Sequence, residues 1–258
     1  MSREIFAHVP YPLLAENLTP IIATGINPEI FFDAQTLETL IPEELTAIME
    51  TLRQAGRRAT IHAPFMDLNP GSFEPLLRDA TIHRFRQTME AARIVRPVSI
   101  VMHPGYDRWR YGDRQTEWLE RSLPVWEEVD IAAGEIGCRI AIENIFDDEP
   151  SVLKALLDAI DSPRFGHCFD IGHWNLFHSV SLEEWFSVLG SSIIHLHIHD
   201  NHGTDDDHLP LGEGSIDFDT YFRLLRQYAA DPVYAIETHD KNQVLLARQR
   251  LEERLQTP

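Results

Sequence analysis

Between Ile193 and Phe218 the chain concentrates groups that bind protons and metals. His195, His197 and His199 alternate with Ile194, Leu196 and Ile198, and side chains two apart share one face of a strand, so the three imidazoles are expected to point the same way. A strand face made of histidine suits a core poorly unless carboxylates, water or a divalent metal satisfy its nitrogens. The strand is expected to stop at Asp200-Asn201. A loop carrying Asp205, Asp206, Asp207 and His208 follows, before Gly212 and Gly214 turn the chain into the next helix.

Similar residues recur where other apolar runs end: His62, His103, Glu143, Asp170 and Glu237. Asp170-Ile-Gly-His173 adds a further pair, with Gly172 read as permitting a tight turn that returns His173 over the site. Each residue has a plainer role open to it. His62 and His103 could cap strands ahead of Pro64 and Pro104, and Glu143 or Glu237 could pair with an arginine. Together, crowded carboxylates would repel and raise one another's pKa values, and a cation is the simplest way to hold them. Imidazole and carboxylate without thiolate suits Zn²⁺, Mn²⁺, Fe²⁺, Co²⁺ or Ni²⁺ better than Ca²⁺. His8, His167, His178, His195, His199, His202 and His239 are weaker candidates, expected to be structural or to stand behind the ligands.

Strands are expected at 5–9, 29–32, 59–62, 99–103, 139–143, 165–170, 193–199 and 233–237. Between them lie amphipathic helices, the first over 13–23 and the next carrying Ile41, Leu45, Ile48, Leu52 and Ala55. Eight strands alternating with eight helices imply a parallel sheet, and that number favours a closed (β/α)8 TIM barrel in the α/β class, one domain over 1–258. In such a barrel the C-terminal strand ends converge on one mouth, so His62, His103, Glu143, Asp170, His197 to Asp200 and Glu237 would face one cup. No Gly-x-Gly-x-x-Gly follows the first strand, which removes the main signature of a dinucleotide-binding sheet.

Lys and Arg total 22 against 41 Asp and Glu, a net charge of −19. That field repels phosphate backbones and anionic membranes, so nucleic acid is not an expected partner. The N-terminus lacks a signal-peptide pattern and no apolar run approaches a membrane span, so a cytoplasmic location is expected. Cys138 and Cys168 are isolated and expected to be small buried hydrophobes.

In order, His62-Ala-Pro, His103-Pro-Gly, Ile142-Glu-Asn, Asp170-Ile-Gly-His173, His197-Ile-His-Asp200, Asp206-Asp-His208 with Leu211-Gly-Glu-Gly214, and Ile236-Glu237-Thr resemble the xylose isomerase-like TIM-barrel superfamily. That superfamily includes sugar isomerases and epimerases and also endonuclease IV, and the resemblance spans nearly the whole chain. Its isomerase branch implies one metal held by Glu143, Asp170, His197 and Glu237, with His173 touching substrate. Its endonuclease branch implies three zinc ions, adding His62, His103, His173, Asp206 and His208 as ligands. The arginine that ketose 3-epimerases use to grip substrate is absent, Gly203 lying near its place. Phe65-Met66 corresponds either to side chains that the endonuclease inserts into DNA or to packing at the barrel lip.

Three functions follow. The first is an isomerase or epimerase of a small polyhydroxy substrate, a sugar or sugar phosphate, using one divalent ion (Zn²⁺, Mn²⁺, Co²⁺ or Mg²⁺). It would act through an enediolate, with Glu143 or Glu237 moving the proton and His173, His62 and His103 contacting substrate. For a phosphate, Arg108 and Arg110 are the nearest basic residues. The second is a phosphoester hydrolase with two or three metals, and the third a non-catalytic metal- or sugar-binding barrel.

Overall fold

Among the described residues eight parallel strands pair in sequence order and close: β1 (Ile5–Pro10), β2 (Asn27–Phe31), β3 (Thr60–His62), β4 (Ser99–Met102), β5 (Arg139–Glu143), β6 (Phe165–Asp170), β7 (Ile193–Ile198) and β8 (Val233–Ile236). Ile5, Phe6 and Ala7 pair with Tyr234, Ala235 and Ile236, which seals the barrel. The computed structural model describes residues 4–238 and 240–256, so His239 lies outside the described residues. Long crossovers between parallel neighbours are helical, as such connections usually are: α1 (Leu18–Thr24), α2 (Pro42–Gln54), α3 (Pro75–Val95), α4 (Gln115–Ile136), α5 (Ser151–Ile160), α6 (Leu182–Leu189), α7 (Phe218–Tyr228) and α8 (Val244–Gln256). This is the (β/α)8 barrel that the alternation predicts.

Strand alternation sorts the side chains. Ile30, Ile61, Ile100, Ile142, Leu196 and Ile236 join the main hydrophobic core with helix residues such as Leu45, Trp126 and Trp185. Smaller apolar groups close the lower interior, one of Phe6, Val233 and Ala235, another of Val101, Ala141 and Cys168. Polar residues fill the lumen above them.

One expected element is wrong. In place of a helix over 13–23, Tyr11–Glu16 and α1 meet at Asn17, whose φ of −122° and ψ of 28° are not helical. A continuous helix would set Pro20 against the Glu16 carbonyl four residues back, a clash that breaks helices. Elsewhere the bounds differ by a residue or two. β4, β7 and β8 stop just before His103, His199 and Glu237, which therefore begin the mouth loops.

Candidate metal centre and active site

Four side chains from consecutive strands meet at the mouth. Glu143 ends β5, Asp170 ends β6, His197 lies one residue inside the end of β7, and Glu237 follows β8. Each offers one ligand atom, these atoms lie within 4.8 Å of one another, and all four residues are buried. His197 Nδ1 stands 3.0 Å from Glu143 Oε1, 3.1 Å from Glu237 Oε2 and 3.7 Å from Asp170 Oδ2.

Three carboxylates around one imidazole concentrate negative charge, which protonated imidazoles or a bound cation would offset. Burial opposes charging His197, but the acids around it, Glu143, Glu29 and Glu237 among them, outweigh burial and hold its pKa well above the usual value. Burial likewise pushes Glu143 up, and His197 and His103 overcome it; for Glu237, His197 and His8 do so. Both carboxyls are held well below their usual range and are ionised at neutral pH.

Further imidazoles ring this centre. His62 Nε2 and His103 Nε2 lie 3.3 and 3.0 Å from Glu143 Oε2, the oxygen turned away from His197. Phe65 stacks on His103 with ring centroids 4.4 Å apart, so it packs the barrel lip, while Met66 is exposed. On the other side His173 Nδ1 is 3.4 Å from Glu143 Oε1 and its Nε2 is 3.4 Å from Asp206 Oδ2. Asp206 comes from the loop after β7, which an antiparallel bridge between Asp200 and Leu209 closes on itself. Asp200 is spent holding that loop, since its Oδ2 accepts from the backbone N–H of Gly212 at 2.9 Å and Gly214 at 2.8 Å. His208 leaves the loop in the left-handed region at φ 51°, 3.5 Å from Asp206 Oδ1 and 3.8 Å from Glu237 Oε1. It stacks on His199, whose Nε2 lies 3.2 Å from both Asp170 oxygens.

The protein leaves atoms here that an ion would satisfy. Glu143 Oε2, Glu237 Oε2, His103 Nε2 and His199 Nδ1 are buried with no aligned hydrogen bond among the described residues, although His103 Nε2 faces Glu143 Oε2 and His197 Nδ1 faces Glu237 Oε2 at ion-pair distance, a costly state for polar atoms. Carboxylate oxygens and imidazole nitrogens match a hard or borderline divalent cation. Cys168, His195 and His197 form a softer set deeper in the barrel. Burial pushes the Cys168 thiol well above its usual pKa, so without an ion it stays protonated.

The profile of the family described as xylose isomerase-like TIM barrel matches residues 25–256. The chain belongs to that family. A relative, an uncharacterised protein of Methanocaldococcus jannaschii, is 31% identical over 224 residues, covering 84% of this chain and 76% of its own. Among solved structures, a D-tagatose 3-epimerase-like protein superposes with a TM-score of 0.81 at 29% identity, over 98% of this chain and 97% of its own. A Thermus thermophilus protein solved after soaking with ZnCl2 gives a TM-score of 0.76 at 26% identity, over 96% and 97%. A D-psicose 3-epimerase at 14% identity shares the fold with a TM-score of 0.75, over 92% of this chain and 86% of its own.

In this xylose isomerase-like chain every residue expected at the mouth is there: Glu143, Asp170, His197 and Glu237 together, with His62, His103, His173, Asp206 and His208 around them. His167 is not, since it contacts the Ile142 carbonyl and Trp185; His178 stacks on Trp174. Arg108 already pairs with Asp148 and lies over the Trp109 ring. Gly172 does not make a turn. It sits in the short helix Ile171–Phe177, where an added Cβ would come 2.0 Å from His199 Cε1.

Two further residues belong to the centre. His8, expected only to be structural or to stand behind the ligands, is 3.5 Å from Glu237 Oε1. Glu29, which the sequence patterns pass over, is fully buried in β2 and reaches His197 from below. A lone carboxylate alternating with Ile30 in an apolar strand is the one signal that Glu29 gives.

Proposed function

We propose that this chain is a divalent-metal-dependent isomerase or epimerase of a small sugar or sugar derivative, with Glu143, Asp170, His197 and Glu237 as ligands. The observation that carries this is the convergence of those four buried groups within 4.8 Å at the barrel mouth. The likeness to a D-tagatose 3-epimerase-like protein over 98% of the chain supports the substrate class. A bound divalent ion supplies Lewis-acid polarisation of a carbonyl and its neighbouring hydroxyl. Glu143 and Glu237, both ionised, accept and return the proton on the carbon beside the carbonyl. His173, His62 and His103 donate to substrate hydroxyls, and Phe65 packs against the last two.

Incubating the metal-loaded protein with ketoses in D₂O should wash deuterium into the carbon beside the carbonyl. Glu237→Gln keeps the size and one acceptor oxygen but removes the charge. It should fold, bind metal at least about tenfold more weakly and lose exchange even at saturating metal. Wild-type affinity in that variant, or no exchange with any sugar, overturns the reading.

A second reading has its own observation: Glu143 turns Oε1 toward His197 and Oε2 toward His62 and His103, the disposition of a bridging carboxylate. Together with His173, Asp206 and His208 it supports a hydrolase with two or three metals. Metal analysis separates the two. One ion per chain, unaltered in His103→Ala, removes the hydrolase.

A further inference from the structure

Below the mouth lies a buried acid that neither reading uses. Glu29 has no exposed area, and its contacts come from side chains of two other strands, β3 and β7. Its Oε1 accepts from His197 Nε2 at 2.8 Å, and its Oε2 accepts from Thr60 Oγ1 at 2.9 Å. His195 Nε2 lies 2.9 Å from Oε2, at ion-pair distance but not aligned as a hydrogen bond. Its Nδ1 meets Ser99 Oγ at 2.9 Å.

An ionised carboxylate only accepts hydrogen bonds. Carboxylates face both ring nitrogens of His197, Glu29 at Nε2 and Glu143 at Nδ1, so an ion that takes Nδ1 leaves the ring's one proton on Nε2, directed at Glu29. A neutral imidazole has one N–H and one lone pair, and anchoring the N–H at Nε2 leaves the lone pair on Nδ1, the nitrogen that faces Glu143, Glu237 and Asp170. We propose that Glu29 is a positioning residue for the ion: it fixes the His197 tautomer and ring orientation from beneath, and its buried charge raises the basicity of Nδ1. The inference rests on the metal-dependent reading above.

Glu29→Gln in the full chain tests this. The amide keeps the shape but presents one acceptor oxygen and one donor nitrogen in place of two acceptor oxygens. Zn²⁺ affinity, read by competition with a chelating dye, should fall about 10–100-fold, as for other groups that orient metal-bound histidines. Separately, ¹⁵N imidazole spectra of the Zn²⁺-loaded wild type should report His197 protonated at Nε2, and the variant should lose that single state. A merely structural acid would lower the melting temperature and leave the Zn²⁺ affinity alone. Unchanged affinity in folded Glu29→Gln overturns the inference, and so does an Nδ1-protonated His197 in the wild type, which needs no variant to fold. Failure of the underlying reading looks different: the wild type then binds no Zn²⁺ or Mn²⁺, or binds either with an affinity indifferent to Glu237→Gln.

Discussion

Asp147, four residues past Glu143, illustrates what single residues conceal. In the run Asp147-Asp148-Glu149 it reads as one solvated acid among three, yet it is 6% exposed and accepts from the Ile145 N–H at 3.2 Å. Burial, then the nearby charge of Glu149, raises it from 3.8 to about 7. The folded form therefore holds a proton that the unfolded chain releases near its ordinary value. Its contribution to stability is full below that value and is lost as pH rises through about 7, a swing of roughly 4 kcal/mol at 1.36 kcal/mol per pKa unit. Asp147→Asn should accordingly match the wild type near pH 4 and exceed it increasingly up to pH 8, as measured by urea unfolding. A difference independent of pH rejects the assignment. Glu29 was hidden for a related reason, because composition gives a residue's type but not how deep its strand sets it in the lumen.

At the scale of elements, strand ends were legible because a parallel barrel brings them to one mouth whatever their exact bounds. Loop closure was not, since it depends on Asp200 capturing the backbone of Gly212 and Gly214, contacts that no local pattern announces. The approach of the helix Ile171–Phe177 to the loop after β7 is another such case. The sequence suggested a turn at Gly172, whereas the glycine leaves room for the His199 ring. Gly172→Ala should push that ring off Asp170. The expected cost is about 1–3 kcal/mol, typical of overpacking, with weaker Zn²⁺ binding because Asp170 loses a partner. Thermal melts and metal titration check both effects, and a variant matching wild type in each would refute the packing argument.

For the whole molecule, an ion held by the buried acids at the mouth would link folding to ion binding. A ligand at about 100 times its Kd stabilises the folded state by about 2.7 kcal/mol, which for a chain of this size raises the melting temperature by roughly 5–10 °C. Adding Zn²⁺ or Mn²⁺ to chelated protein should do so, and a chelator should reverse it; equal melts with and without metal would contradict an ion site. The same acids bear on how the barrel assembles. β7 pairs Leu196 with Phe169 and His197 with Asp170 on one side, and His197 with Ala235 on the other. A slip of one residue would exchange its two faces, aiming Leu196 and Ile198 at Glu29, Glu143 and Glu237 while driving His195 and His197 into the helix layer. Such a misfolded closure would strand three carboxylates in an apolar lumen, so the imidazole face of β7 disfavours the slipped register.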